Sequence, residues 1–201
     1  MTDLGYSWLK VALELSALVV TSLISYISYK GFSTTKRPVF ARLSIAFISI
    51  SLNFLLISLA DILGIFEYVS LFYYLQLGAS FFEMIGFFFL FFSHMVKVYK
   101  EQIVLASLVI FNPIMAFKTL AVYFISYTAL ETAISYLRNR SRIVLLTSIG
   151  LSCFAIQSIL GWMSELIPYS SYLELLPIMI QMIGIIILFV PIWIYYRSVK
   201  L

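Results

Sequence analysis

The chain has 201 residues, of which 63% are hydrophobic and only 11% charged, with a mean hydropathy of +1.05; soluble domains average roughly 45–50% apolar and 25% charged. That composition excludes a soluble enzyme or a nucleic-acid-binding module and describes an integral membrane protein carrying a net charge of +4. The single cysteine, Cys153, sits inside an apolar run, so it forms no intrachain disulfide and reads as a small packing residue.

In hydrocarbon every backbone amide must be satisfied within its own segment or in a closed barrel, and apolar runs of about 20 residues without period-two alternation select helices. The first run, Tyr6 to Tyr29, is longer than a signal-peptide core and lacks a basic n-region or small-residue cleavage site, so it predicts a retained helix over 6–30. Lys30 to Pro38 follows as a polar, basic turn with a helix-starting proline. The second helix is expected over 38–63; Asp61, Gly64 and Glu67 mark an acidic turn, and a third helix covers 68–96, closed by Lys97 and Lys100. The stretch from Glu101 to Arg138 is too long for one ordinary span. Asn112-Pro113 divides it into a short linker helix over 100–111 and a fifth helix over 113–137, with the asparagine as cap and the proline at the first helical position; the alternative is one long, kinked helix. A sixth helix runs from the basic turn Arg138 to Arg142 to near Glu165, and a seventh covers 170–196, followed by Arg197 and Lys200.

With seven helices, eleven of the thirteen basic residues fall on one side of the membrane, and only Lys10 and Lys118 fall elsewhere. Asp3, Asp61, Glu67 and Glu165 lie toward the other side. The positive-inside rule then places the N-terminus outside and the C-terminus in the cytoplasm of a cell membrane, whereas six helices would put the triple-arginine turn outside. The net positive charge is thus a cytoplasmic collar facing anionic headgroups and needs no nucleic acid.

The chain also echoes itself. A shift of 104 positions lays Leu43–Leu63 over Thr147–Ile167 and matches Ser44 with Ser148, Asn53 with Gln157 and Asp61 with Glu165. A shift of 98 matches Tyr74 with Tyr172, Gln76 with Glu174, Glu83 with Gln181 and Gly86 with Gly184. The six-residue difference falls in outer loops, where length changes cost little. For the first and fifth helices, shifts of 101 (Ile24-Ser25-Tyr26 on Ile125-Ser126-Tyr127) and 107 (Ile27-Ser28-Tyr29 on Ile134-Ser135-Tyr136) compete. Two three-helix units in the same orientation need an odd helix between them. The expected fold is therefore all-α, one transmembrane domain over 1–201, with repeat one at 6–97, the linker helix at 100–111 and repeat two at 113–198.

Parallel repeats about an axis along the membrane normal are a transporter plan, with sites near the midplane. The layout resembles that of the sugar-transporting SWEET and PQ-loop proteins and, more distantly, the microbial rhodopsins. The chain departs from both patterns: it has no Pro-Gln dipeptide, and its seventh helix has no lysine before Lys200 to hold retinal. The sequence of basic turn, apolar helix, short outer loop and helix with a central polar residue is also similar to small archaeal seven-helix membrane proteins. These resemblances imply a 3+1+3 layout and transfer no residues.

Glu83 lies about fifteen residues into the third helix, with Gln181 at the equivalent depth of the seventh, and Asn53 and Gln157 central in the second and sixth. These four form two symmetric pairs at one level and constitute the candidate substrate or proton site. Gln76, Glu83 and His94 are spaced by seven and eleven residues, within about 20° of one helix face, and Glu174 and Gln181 repeat the seven-residue step. Since an ionised carboxylate at mid-bilayer costs at least about 2.5–3.5 kcal/mol, Glu83 must be paired, hydrated or protonated. This suits a proton carrier or a cation site; the plain alternative is a hydrogen bond to Asn53 or Gln157 that fixes helix packing. Glu14 and Glu131 are expected to snorkel or to link to Lys10, Lys118 or Arg138. One histidine cannot supply two haem ligands or a metal site with usual ligand counts, so no cofactor or metal is expected.

Tyr68, Tyr73, Tyr74, Tyr169, Tyr172 and Tyr195 read as interfacial belts, and Phe87 to Phe92 as lipid or core surface. No phosphate loop, nucleophile elbow or metal motif is present, so no enzyme is expected. Two functions fit: a seven-helix bundle that moves or senses a small solute or proton through the midplane site, or a non-catalytic subunit of a larger respiratory or oxidative membrane complex. A sensor that signals to a cytoplasmic protein through the basic loops is a third. The expected partners are the lipid bilayer with further copies of the chain or other membrane subunits.

Overall fold

The computed structural model describes residues 3–66, 69–94, 112–166 and 175–200. They form helices α1 (Asp3–Thr35), α2 (Pro38–Ile65), α3 (Val69–His94), α4 (Pro113–Asn139), α5 (Arg142–Leu166) and α6 (Leu175–Lys200). Each contains a span long and apolar enough to cross a bilayer. At 1.5 Å per residue, even the shortest reaches beyond a hydrocarbon core of about 30 Å.

Helix boundaries follow local chemistry. Pro38 and Pro113 occupy first turns, and the Asn112 side chain accepts a hydrogen bond from Ile114 N at 3.0 Å. Asn112 is extended (φ −115°, ψ 118°), so α4 starts afresh there and a continuous kinked helix through this point is excluded. The first helix runs five residues past its expected end. Thr34 and Thr35 donate their hydroxyls to the carbonyls of Lys30 and Gly31 at 3.0 and 2.7 Å, which occupies polar groups that a loop would have left to water. The segment expected to hold the linker helix, 100–111, lies outside the described residues.

The helices form a closed ring in which each packs against its chain neighbours and α6 packs against α1. Within each trio the neighbours are antiparallel. Ser22 Oγ lies 2.6 Å from Ser51 Oγ, and Ser25 and Ser44 each donate to the other's carbonyl at 2.9 and 3.1 Å, joining α1 to α2. The Arg42 guanidinium donates to Phe92 O at 3.0 Å, joining the start of α2 to the end of α3. Between trios the direction is parallel: Phe81 meets Phe117, Phe88 meets Phe124 and Phe91 meets Tyr127, with ring centroids 5.1–5.4 Å apart. Partner numbers therefore rise together along α3 and α4.

The halves also share detail. Lys36 and Arg140 both take left-handed backbone, at φ 54° and 51°, and donate to Phe32 O and Tyr136 O at 2.8 Å. A Cβ on Gly86 would meet Ala46 O at 3.1 Å and Ile50 Cγ1 at 2.6 Å; one on Gly184 would meet Gly150 O at 3.0 Å and Phe154 Cδ2 at 3.3 Å. These pairs obey the 104 and 98 shifts. For the first helix of each trio, the burial pattern selects neither 101 nor 107. Buried Ala17, Thr21, Ile24, Ser25 and Ser28 fall on buried Ala121, Ile125, Thr128, Ala129 and Thr132 at 104, the shift that also relates α2 to α5.

The centre is dry: Phe47, Ile50, Phe87, Leu90, Leu151, Phe154, Ile185 and Leu188 are each at most 3% exposed. The outer surface carries side chains such as Leu15, Val19, Leu23, Ile48, Leu130, Ile149 and Ile186, all exposed. A surface this apolar is solvated by lipid chains rather than water.

Candidate functional site

All six helices line one cavity of about 830 Å³, a volume within the usual ligand-pocket range. Its upper residues, including Ser7 and Lys10 of α1, Gly64 and Ile65 of α2, Phe72 of α3, Ser164 of α5 and Leu176 of α6, lie at the ends of their helices. All these ends sit together on one face of the ring.

The inner wall has two levels. The deeper one combines Asn53, Glu83, Gln157 and Gln181, contributed by α2, α3, α5 and α6. These four residues, far apart in sequence, surround one space. Asn53, Glu83 and Gln181 are 3%, 8% and 4% exposed, so their polar groups have left water for the bundle interior. The Gln157 side chain is in hydrogen-bond contact with the Glu83 carboxyl, and the charge of Lys118 acts on that carboxyl from α4. Gln157 Oε1 and Asn53 Oδ1 are buried and have no hydrogen-bond partner among the described residues.

The shallower level lies seven residues along α3 and eight along α2, about 10–12 Å away at 1.5 Å per residue. It contains Lys10, Glu14, Asp61 and Gln76. Lys10 Nζ lies 2.8 Å from Asp61 Oδ2, and the Glu14 carboxyl faces that of Asp61 at hydrogen-bonding range. Glu14 is only 2% exposed, and its Oε2 has no hydrogen-bond partner among the described residues. Of the two expectations for Glu14, snorkelling or a link to a lysine or arginine, the structure favours the second: helical spacing places it on the buried stripe of α1 with Ala17, Thr21 and Ser28, facing the cavity, where the charge of Lys10 acts on it. Glu131, by contrast, is half-buried in the last third of α4.

Gln76 joins the cavity as its spacing from Glu83 predicts. His94 ends α3 at the opposite face of the ring, eleven residues along the axis from Glu83. Glu174 lies outside the described residues. Trp162, which sequence reasoning passed over, is fixed in the wall by donating Nε1–H to Thr119 Oγ1 at 3.0 Å. Among the described residues no group of three or more His, Cys, Asp or Glu side chains is placed to hold a metal ion.

Below the deeper level the cavity ends at the dry core. Phe47 and Ile50, with Phe87 and Leu90, lie within two turns of Asn53 and Glu83; Leu151 and Phe154, with Ile185 and Leu188, stand in the same relation to Gln157 and Gln181. The Phe87 and Phe154 rings meet edge to face across this layer, with centroids 5.8 Å apart. Lys30, Lys36, Arg37, Arg42, Arg138, Arg140, Arg142 and Arg197 all belong to helix ends or turns beyond it.

Six apolar helices around a polar interior define a multi-pass membrane protein. No family model, curated protein or solved structure matches the chain.

Proposed function

We propose that this protein is a carrier or sensor of a small polar solute, with access from one side of the membrane in the conformation described. The single observation that carries this reading is the cavity itself: polar at two levels, bordered among the described residues by helix ends on one ring face, and ended by a close-packed apolar layer about two helical turns thick. Water and solute can enter such a space but cannot cross the layer without helix movement. Gly86 and Gly184 lie within it, at the tightest helix contacts. Two copies of one packing arrangement around a central site match the parallel-repeat plan in which one trio rocks against the other.

The wider architecture belongs to the same proposal. Parallel α3 and α4 support a 3+1+3 arrangement, with the additional crossing between residues 94 and 113. The basic ring face then lies in the cytoplasm of the cell membrane and the cavity opens outward. Glu83 is the proton-coupling residue and no covalent chemistry is performed.

Sided thiol labelling tests the reading. In a Cys153→Ala background, a Gln76→Cys variant should react with a membrane-impermeant thiol reagent from the outer face only, while Leu188→Cys should be protected from that face. Protection of Gln76→Cys from both faces would overturn the open cavity, and equal labelling of Leu188→Cys from the outer face would overturn the apolar barrier. Gentle purification from native membranes gives an independent check: recovery alone or as a homo-oligomer fits a carrier, whereas stoichiometric recovery with other subunits would make the chain an accessory subunit.

A further inference from the structure

We infer that the solute is a small organic ammonium ion; this deepens the preceding reading and rests on it. Four buried side-chain atoms in the cavity wall lack hydrogen-bond partners among the described residues: Glu14 Oε2, Asn53 Oδ1, Asp61 Oδ2 and Gln157 Oε1. All four are acceptors, and Asp61 Oδ2 is ion-paired with Lys10 Nζ at 2.8 Å, which leaves the other three to a ligand. The orientation of Gln157 is chemically consistent, because its amide N–H₂ serves the Glu83 carboxyl and leaves the carbonyl oxygen for something else. A ligand that displaces water from these acceptors without supplying donors leaves each at a cost of about 1–3 kcal/mol, so the ligand that fits this wall supplies donors and not acceptors.

Charge narrows the class. At the shallow level two carboxyls, Glu14 and Asp61, face one ammonium, Lys10. At the deep level one carboxyl, Glu83, lies in the field of one ammonium, Lys118. The surplus acid is therefore shallow, and the unused acceptors of the deep level are neutral amides. A cation accordingly places its charged head by Glu14 and turns a second, uncharged donor toward Asn53 and Gln157. The distance between levels and the cavity volume of about 830 Å³ suit an organic ion rather than a bare metal ion, and Phe54, Phe72 and Trp162 supply apolar wall for its carbon chain. An ammonium head offers three donors and no acceptor, which complements this wall; an anion would add acceptors to it.

The test is ligand-dependent thermal stabilisation of the purified full-length protein, since a ligand that binds only the folded state raises the melting temperature in proportion to ln(1 + [L]/Kd). The probes are hexylammonium and 6-hydroxyhexylammonium at matched ionic strength, against tetramethylammonium, sodium, potassium, propionamide and acetate. The expected result is stabilisation by the two primary ammonium ions, stronger for 6-hydroxyhexylammonium, whose hydroxyl donor reaches from the shallow level toward the deep one, and none from the others. Glu14→Gln should weaken that response roughly tenfold or more, the expected loss for one hydrogen bond to a charged group. Asn53→Leu should remove the advantage of 6-hydroxyhexylammonium over hexylammonium. Equal stabilisation by tetramethylammonium, sodium, potassium or propionamide, or no response to either primary ammonium ion, would overturn the inference. The wild-type probe series decides the matter even if a variant does not fold. Outer labelling of Gln76→Cys without an ammonium response rejects the ligand class and keeps the open cavity; absence of that labelling rejects both.

Discussion

Lys36 and Arg140 stand 104 residues apart and close their helices with the same left-handed turn, each donating its N–H to a carbonyl four residues back at 2.8 Å. Neither is glycine, although left-handed backbone opposes a Cβ by roughly 1–2 kcal/mol. Both turns lead directly into a further helix, starting at Pro38 and at Arg142. The turn sets the entry angle of α2 against α1 and of α5 against α4, on the ring face away from the cavity's helix ends.

Glycine at these two turns should therefore stabilise. Lys36→Gly and Arg140→Gly are each expected to gain about 1 kcal/mol, read as a higher melting temperature in detergent, with similar gains because the geometry is shared. Lys36→Val and Arg140→Val should both destabilise. Opposite signs at the two turns would show that they are not equivalent.

The glycines of the barrier layer should behave in the reverse sense. Gly150 and Gly184 face each other so closely that a methyl on either would meet the other's carbonyl oxygen at 3.1 or 3.0 Å, and one on Gly150 would meet Leu188 Cγ at 2.6 Å. Gly150→Ala, Gly184→Ala and Gly86→Ala should each cost about 1–3 kcal/mol by overpacking. Gly161→Ala is the control: a Cβ there would meet only Gln157 Nε2, at 3.8 Å, so the better helix propensity of alanine should raise stability by up to about 1 kcal/mol. Thermal melts of the four variants check both halves of this prediction.

Much of this arrangement was legible because lipid imposes one rule on every segment: the apolar runs gave the helices, the Asn112-Pro113 pair gave the start of α4, and matched polar residues gave the deep level of the cavity. The shallow level was not legible. Glu14 was assigned to a helix end by depth alone, but depth does not tell whether a polar side chain faces lipid headgroups or a wet interior. A signal did exist: extending the 104 shift of α2 into α1 pairs Glu14 with Lys118, and Lys10 and Lys118 are the two basic residues that the positive-inside pattern leaves unexplained. All three line the cavity. His94 marks the same limit from another side: angular periodicity fixes a face but not a height along the helix, and His94 closes α3 eleven residues from Glu83.

The two basic turns should be reached from the same side of the membrane. Antiparallel pairing within each trio and parallel pairing of α3 with α4 put the turn at residues 36–37 and the turn at residues 140–141 on one ring face. In the Cys153→Ala background, Arg37→Cys and Asn139→Cys should both react with an impermeant thiol reagent applied to inside-out vesicles, and neither in right-side-out vesicles. Labelling of the two from opposite faces would exclude an additional crossing between α3 and α4.

Glu83 and Lys118 make the last prediction, which separates proton coupling from simple packing. Glu83 is buried beside Gln157 and within the field of Lys118, which is itself half-buried at the cavity wall. Glu83→Gln keeps the shape and the amide contact while deleting the ionisable group, so the protein should fold normally and reconstituted vesicles should lose the pH dependence of transport. Lys118→Met should be the harsher change for stability, read as a lower melting temperature, because it removes a positive charge whose field acts on the buried Glu83 carboxyl. The double variant Glu83→Gln with Lys118→Met should recover most of that loss, since it removes both charges together. A pH dependence that survives Glu83→Gln would sink the proton-coupled role and leave Glu83 as a packing residue; equal melting temperatures for Lys118→Met and the double variant would show that the two charges do not depend on one another.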